Sequence, residues 1–284
     1  MTIIHLGLIG YPVSHSLSSK IQNAALKSCK LEGDYSLFSI HPDDKRGLKD
    51  LLARVRTGEL HGLNVTIPHK QNVIPLLNEL TPAAGAIGAV NTIYLRENRL
   101  IGDNTDARGF LADLKKFLTT EARRHGDLHA LVLGAGGSAR AVVYALVNDG
   151  WNVTIAARRI EQAQQLASSF PNHKLLITNY ENLLETLRPP ISNLFLIINT
   201  TPLGMTPNID QSPLPENLSL SEHVVIYDLV YNPRETKLVR DARSQGLQAT
   251  TGLGMLIEQA ALAFEIWTGH NPSREIMRAS VNNL

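Results

Sequence analysis

Gly134, Gly136 and Ala139 stand at Gly-x-Gly-x-x-Ala spacing, between an apolar run ending at Leu133 and a segment rich in Ala and Val. This spacing serves to hold a pyrophosphate. Gly134 permits a tight turn, Gly136 lets the backbone approach the phosphates and Ala139 lets a helix lie close on a sheet, while free N–H groups at the helix start meet the negative charge. Ala135, Gly137 and Ser138 belong to the same turn. The next apolar run, NVTIA, leads into Ala157, Arg158 and Arg159, where a site for NAD would carry an acidic residue for the ribose hydroxyl. Two cations stand there instead, and arginine clamps phosphate through paired charge-assisted hydrogen bonds, so the expected cofactor is NADP. Arginine at a helix start opposes the macrodipole, which makes a purely stabilising role the weaker reading.

A second polar constellation lies in the first third of the chain. YPVSHSLS offers Ser14 and Ser16, two hydroxyls that could donate to a carboxylate or simply cap the following helix. GLNVTIPHK brings Asn64, Thr66 and Lys70 to the end of a strand, where alternation points Asn64 and Thr66 the same way. An amide, a hydroxyl and an ammonium together suit a substrate with several hydroxyls and a ketone. GAVNTIY adds Asn91, and GDNTDARGF adds Asn104 and Asp106 where the chain changes character. Each of these alone could satisfy only local backbone.

The elements that must position these groups follow from the apolar pattern. Runs rich in Ile, Val and Leu alternate with segments of helical period, as expected when helices cover a mostly parallel sheet. Strands are expected at Ile3–Gly10, Tyr35–Ile40, Gly62–Ile67 and Ala89–Tyr94, and Leu48, Leu51, Leu52 and Val55 mark the buried face of a helix over Asp43–Arg56. After a helix from Thr105 to about Leu118 and a polar stretch through Arg123, Arg124 and Gly126, further strands are expected at His129–Gly134, Trp151–Ala156, Leu194–Asn199, Val224–Asp228 and Leu247–Thr250. The fold class is therefore α/β: a doubly wound Rossmann-type domain over 107–254, and a smaller α/β domain over 1–106 completed by C-terminal helices over 255–284, with Pro272 at a helix start.

Composition excludes several classes. With 27 basic against 26 acidic residues the net charge of +1 gathers neither nucleic acid nor an anionic membrane, so a small molecule is the expected partner. A single cysteine, Cys29, rules out an internal disulfide and reads as a packed helix residue, and the ten histidines show no metal-ligand spacing, so no metal is expected. The opening MTIIHLGLIGYP lacks a basic flank and no apolar run reaches membrane-spanning length, which suits a cytoplasmic protein, monomer or homodimer. Phe264 and Trp267 read as core, and His15 as a partly exposed turn residue.

The runs SHS, NVTIPHK, AVNT, DNTDARG, GAGGSARA, NTTPLGM, DLVYNP and GLGMLIEQAA occur in the order found in shikimate dehydrogenases, and the chain resembles that family over nearly its whole length. The resemblance implies NADPH-dependent reduction of 3-dehydroshikimate to shikimate, in aromatic amino-acid biosynthesis. It implies Ser14 and Ser16 on the substrate carboxylate, Asn64, Thr66, Asn91 and Gln259 on its hydroxyls, and Lys70 with Asp106 as the catalytic pair. Asn199, Thr200, Thr201 and Met205 would border the cofactor together with Leu229. Tyr231, Gly252 and Met255 would line the cleft between nicotinamide and substrate. One departure stands out: many relatives carry Asn-Arg-Thr where this chain has Ala157, Arg158 and Arg159, so the adenine-end contacts must differ. A quinate or dual-specificity dehydrogenase is the nearest alternative, and a non-catalytic NADP- or ring-acid-binding regulator is the alternative from another class. In either of these, or in a bare ion pair between domains, Lys70 and Asp106 would have less to do.

Overall fold

The first apolar run forms β1 (Ile4–Gly10), whose second half is buried because both of its faces are covered. The structure, a computed structural model, describes residues 3–118, 128–180, 182–183, 194–216 and 218–282. The chain forms two units, Met1–Gly109 with Ile257–Leu284, and Phe110–Leu256. The polar stretch holding Arg123, Arg124 and Gly126 lies outside the described residues.

In the first unit, β1 is flanked by β2 (Gly33–Ser39) and β3 (Gly62–Val65), both parallel to it. Between them, α1 (Ser18–Ser28) and α2 (Lys45–Arg56) complete the crossovers. Asp44 caps α2 by accepting from the Gly47 N–H at 2.8 Å, and Leu48, Leu51, Leu52 and Val55 bury their common face against Ile9, Leu63, Val65 and Ile93. Lys70 stands on a single helical turn, α3 (His69–Asn72). A short strand β4 (Glu79–Leu80) precedes α4 (Pro82–Ile87), which Thr81 caps and Gly88 ends in the left-handed region.

Here the sheet departs from the sequence expectation. The strand expected at Ala89–Tyr94 is β5 (Thr92–Arg96), which turns directly into β6 (Arg99–Asp103). Glu97 and Asn98 both take positive φ, the backbone of a two-residue hairpin, so β5 runs antiparallel to β3 and to β6. The sheet order is β2-β1-β3-β5-β6-β4, mixed and not wholly parallel. Glu-Asn is not the usual Asn-Gly or Asp-Gly signature, which hid the turn.

Two C-terminal segments also belong to this unit: residues 257–268 of the helix Leu253–Thr268, and a final helix over Arg274–Ala279. Pro272 precedes the latter's cap, Ser273, and so lies outside the helix it was expected to start. Cys29 is a half-buried C-cap of α1, not an interior helix residue. Phe264 is fully buried, and Trp267 donates its indole N–H to the Ile93 carbonyl at 3.1 Å. A Cβ on Gly62 would sit 2.1 Å from that indole nitrogen. Gly62→Ala is therefore expected to push the ring off its acceptor and lower stability by about 2 kcal/mol, checked by urea unfolding.

The second unit begins within α5 (Asp106–Phe117) and holds the doubly wound sheet. Its strands are β7 (His129–Leu133), β8 (Asn152–Ala156), β9 (Leu175–Thr178), β10 (Leu194–Asn199), β11 (Val225–Asp228) and β12 (Ala249–Thr251). All are parallel, in the order β12-β11-β10-β7-β8-β9, so the chain reverses direction across the sheet between β7 and β10. In such sheets ligands bind at that reversal, beyond the carboxyl ends of the strands. Helices α6 (Gly137–Asn148), α7 (Ile160–Ser168) and α8 (Lys237–Ser244) cover the faces. Residues 253–268 form α9, whose first turn closes this unit, and 274–279 form α10. Strand β9 was not expected from the sequence; its burial is only partial, and its apolar run is three residues long.

Candidate functional site

Lys70 is the centre of the first unit's polar residues. Its Nζ donates to Asp106 Oδ2 at 2.6 Å, with side-chain exposures of 11% and 7%, so the pair is nearly removed from water. An ammonium has three hydrogens, and among the described residues only this one finds an acceptor. A buried cation with two spare donors is costly unless something else accepts them.

Asn91 ties the pair to the sheet. Its amide nitrogen lies 2.8 Å from Asp106 Oδ1, 2.9 Å from Thr105 Oγ1 and 3.2 Å from Gln259 Oε1, while its oxygen accepts from the Thr105 N–H at 2.8 Å. Two hydrogens cannot serve three acceptors at once, so this node can exchange a partner for a ligand. Asn104, fully buried, accepts from the Asp106 N–H at 3.0 Å and donates to the Ala89 carbonyl at 2.9 Å, which caps α5 and fixes where Asp106 begins it. Its role here is structural.

Strand β3 ends at Val65, but the Thr66 N–H still donates to the Ile9 carbonyl at 2.9 Å, so the pairing with β1 runs on through Thr66 before the turn at Ile67 and Pro68. Asn64 accepts from the Tyr35 hydroxyl at 2.8 Å and donates to the Asn91 carbonyl at 3.1 Å. Burial pushes the Tyr35 phenol well above its ordinary range, so it stays a neutral donor and fixes which way the amide points. Tyr35, Thr92 and Thr105 are contributors the sequence did not single out; each looked like an ordinary strand or turn residue. Among the described residues, half-buried Thr66 and exposed Ser14 make no side-chain hydrogen bond to this network. Ser16 Oγ accepts from the Ser18 N–H at 3.2 Å, although the cap position of α1 is Leu17, whereas no side-chain bond engages Ser14 among the described residues. His15 is exposed beside them.

The second unit gathers the glycine turn. Gly134 has φ +110°, and a Cβ there would sit 2.6 Å from Thr200 Oγ1, so the residue must be glycine on two counts. Gly136 is exposed, and a Cβ on it would meet nothing within 4 Å, while α6 starts without a side-chain cap. Open space above uncapped N–H groups fits a pyrophosphate. Ala139 is fully buried against the sheet, and Gly137 and Ser138 are half-buried in the first turn. Ala157 is buried at the end of β8, and Arg158 and Arg159 follow it, exposed and without an ion pair among the described residues. Two unpaired guanidinium groups beside this turn fit the extra phosphate of NADP. Tyr180, beyond β9, also faces this end: burial raises its phenol to about 12, with the Arg158 charge pulling the other way.

The loop after β10 is held by its own side chains. Asn199 Oδ1 accepts from the Thr201 N–H at 2.9 Å and the Thr201 hydroxyl at 2.7 Å, and Thr200 donates to the Leu133 carbonyl at 2.7 Å. These three shape the backbone, and Met205 stays 45% exposed at the loop's end. Gly252 lies so close to Leu229 that a Cβ would sit 2.3 Å from its carbonyl oxygen. Tyr231 is half-buried and Met255 buried. Among the described residues no group of His, Cys, Asp and Glu could hold a metal, and no helix is long and apolar enough to cross a membrane.

Three family models match: the shikimate dehydrogenase substrate binding domain over residues 8–93, shikimate/quinate 5-dehydrogenase over 117–234, and the shikimate 5'-dehydrogenase C-terminal domain over 252–281. The chain is 38% identical over 276 residues to the shikimate dehydrogenase (NADP(+)) of Bacillus licheniformis, covering 97% of this chain and 95% of the relative. Among solved structures it is similar to the shikimate 5-dehydrogenase of Thermus thermophilus in complex with NADP(H) and shikimate, at TM-score 0.84 and 37% identity over 99% of both chains. It is also similar to the quinate dehydrogenase of Corynebacterium glutamicum in complex with NAD, at TM-score 0.87 and 30% identity, again over 99% of both.

Proposed function

The chain belongs to the shikimate dehydrogenase family, and from that membership we propose that it reduces 3-dehydroshikimate to shikimate with NADPH, reversibly. The observation that carries this reading is the buried Lys70–Asp106 pair, with two ammonium hydrogens left for an acceptor that none of the described residues supplies. Substrate binding is assigned to 1–106 with 255–284 and the cofactor to 107–254.

Lys70 donates to the ketone oxygen and passes it a proton as it becomes the hydroxyl, while Asp106 accepts a third hydrogen and aims the ammonium. Asn64, Thr66, Asn91 and Gln259 hold the hydroxyls and help position the ring, Ser14 and Ser16 receive the carboxylate, and Tyr231 takes part in binding the substrate. Gly134 to Ala139 take the pyrophosphate of NADP, Arg158 and Arg159 its extra phosphate, and Ala157, Asn199 to Met205, Leu229, Gly252 and Met255 border the rest. When bound, the nicotinamide supplies the hydride.

Turnover of shikimate and quinate, each with NADP+ and NAD+, followed by nicotinamide absorbance, tests the assignment; the expected best pair is shikimate with NADP+. Turnover of quinate with NAD+ alone would favour the alternative dehydrogenase, and NADP+ binding without turnover of either acid would favour the regulator. Arg158→Ala is expected to weaken NADP+ about tenfold and NAD+ hardly at all, since only the former carries the phosphate.

A further inference from the structure

Asp228 is the last residue of β11, fully buried, and the reaction as assigned makes no use of it. It stands level with Asn199 at the end of β10 and Thr251 at the end of β12, on the carboxyl edge of the sheet where ligands of this fold bind. Among the described residues its carboxylate is held by the last residue of β10 and by the segment that follows β11. Oδ1 accepts from Asn199 Nδ2 at 2.8 Å and from the Val230 N–H at 3.0 Å, and Oδ2 accepts from the Thr236 hydroxyl at 2.6 Å. Asn199 in turn holds both Thr201 groups and donates to the Leu203 carbonyl at 3.2 Å. One carboxylate thus joins two segments, Asn199–Met205 and Leu229–Tyr231, adding side-chain bonds to the backbone bond from the Leu229 N–H to the Asn199 carbonyl at 2.9 Å, while Thr206 and Asn232 pair just beyond them.

We propose that Asp228 is a positioning residue for the dinucleotide, fixing through Asn199 and the Val230 amide the two loops that border it. The proposal rests on the cofactor assignment above. Burial pushes the Asp228 carboxyl up to about 6, because its three hydrogen bonds only partly offset lost solvation.

Asp228→Asn keeps shape and one oxygen but turns Thr236 from donor to acceptor and removes the charge that strengthens the bonds to Asn199 and Val230. NADP+ affinity, titrated by intrinsic fluorescence at neutral pH, is expected to fall about tenfold while shikimate affinity and the far-ultraviolet circular dichroism spectrum stay unchanged. A purely structural role would lower both affinities together or neither. Wild-type NADP+ affinity in a folded Asp228→Asn protein overturns the proposal, whereas wild-type protein that binds no NADP+ overturns the cofactor assignment itself. Should Asp228→Asn fail to fold, Asn199→Ser decides: it cuts the bond from Oδ1 to the Asn199 segment, and an NADP+ affinity within experimental error of wild type overturns the proposal.

Discussion

Lys70→Ala is expected to lose about three orders of magnitude in kcat, while KM for the ring acid moves by less than about fivefold. The asymmetry follows from when the lysine is needed. In the ground state the ketone oxygen is a weak acceptor, so its hydrogen bond to Lys70 adds little to binding beside the contacts of the carboxylate and hydroxyls. As the hydride arrives, the oxygen gathers a full charge, and the bond to a desolvated ammonium strengthens just then. Steady-state kinetics of the purified variant check this. Comparable kcat in the two proteins would remove Lys70 from the role and leave the pair as an ion bridge. Urea unfolding separates the cases, because the variant strands Asp106 at 7% exposure with Asn91 as its remaining side-chain partner, and a stability loss without a loss of turnover marks a structural pair. Asp106→Asn is the companion variant, expected to fall less in kcat, since it keeps an acceptor for the ammonium but not the charge that orients it.

What could be read from the sequence was local. The helical stripe from Leu48 to Val55 and the Gly134 turn between strand and helix each fit inside about fifteen residues, so spacing alone specified them. The hairpin at Glu97 and Asn98 was missed because two non-glycine residues accept positive φ there, a cost met by β5 and β6 pairing along five residues and not by the turn's own preferences. Tyr35 illustrates the other limit. Its hydroxyl reaches Asn64 only because β1 lies between their strands and sets both registers, a contact across 29 positions that no pattern in either segment announces. Asn104 was visible as a polar turn residue, yet only the bonds to Asp106 and Ala89 assign it to capping.

The stability of the chain is expected to carry the mark of Asp228 across acid pH. The carboxyl has an ordinary value of 3.8 and stands near 6 in the fold, so the folded state binds its proton more tightly than the unfolded chain does. Linkage then fixes the sign: the stabilising contribution is fully present below the unfolded value, and is lost as pH rises through 6. The rise from 3.8 to about 6 corresponds to about 3 kcal/mol, taken from a group buried well enough that solvent screens it little. Other carboxylates titrate in the same range, so the quantity to measure is the stability of wild type minus that of Asp228→Asn, by urea unfolding at intervals from near neutral down to about one unit below the ordinary aspartate value. The difference is expected to move by about 3 kcal/mol in favour of wild type as the solution is acidified, most of it between 6 and 3.8. Its three hydrogen-bond partners, Asn199, Val230 and Thr236, carry no charge. A flat difference would mean that the three hydrogen bonds hold the carboxylate as well as water does, and that its ionised form costs the fold nothing.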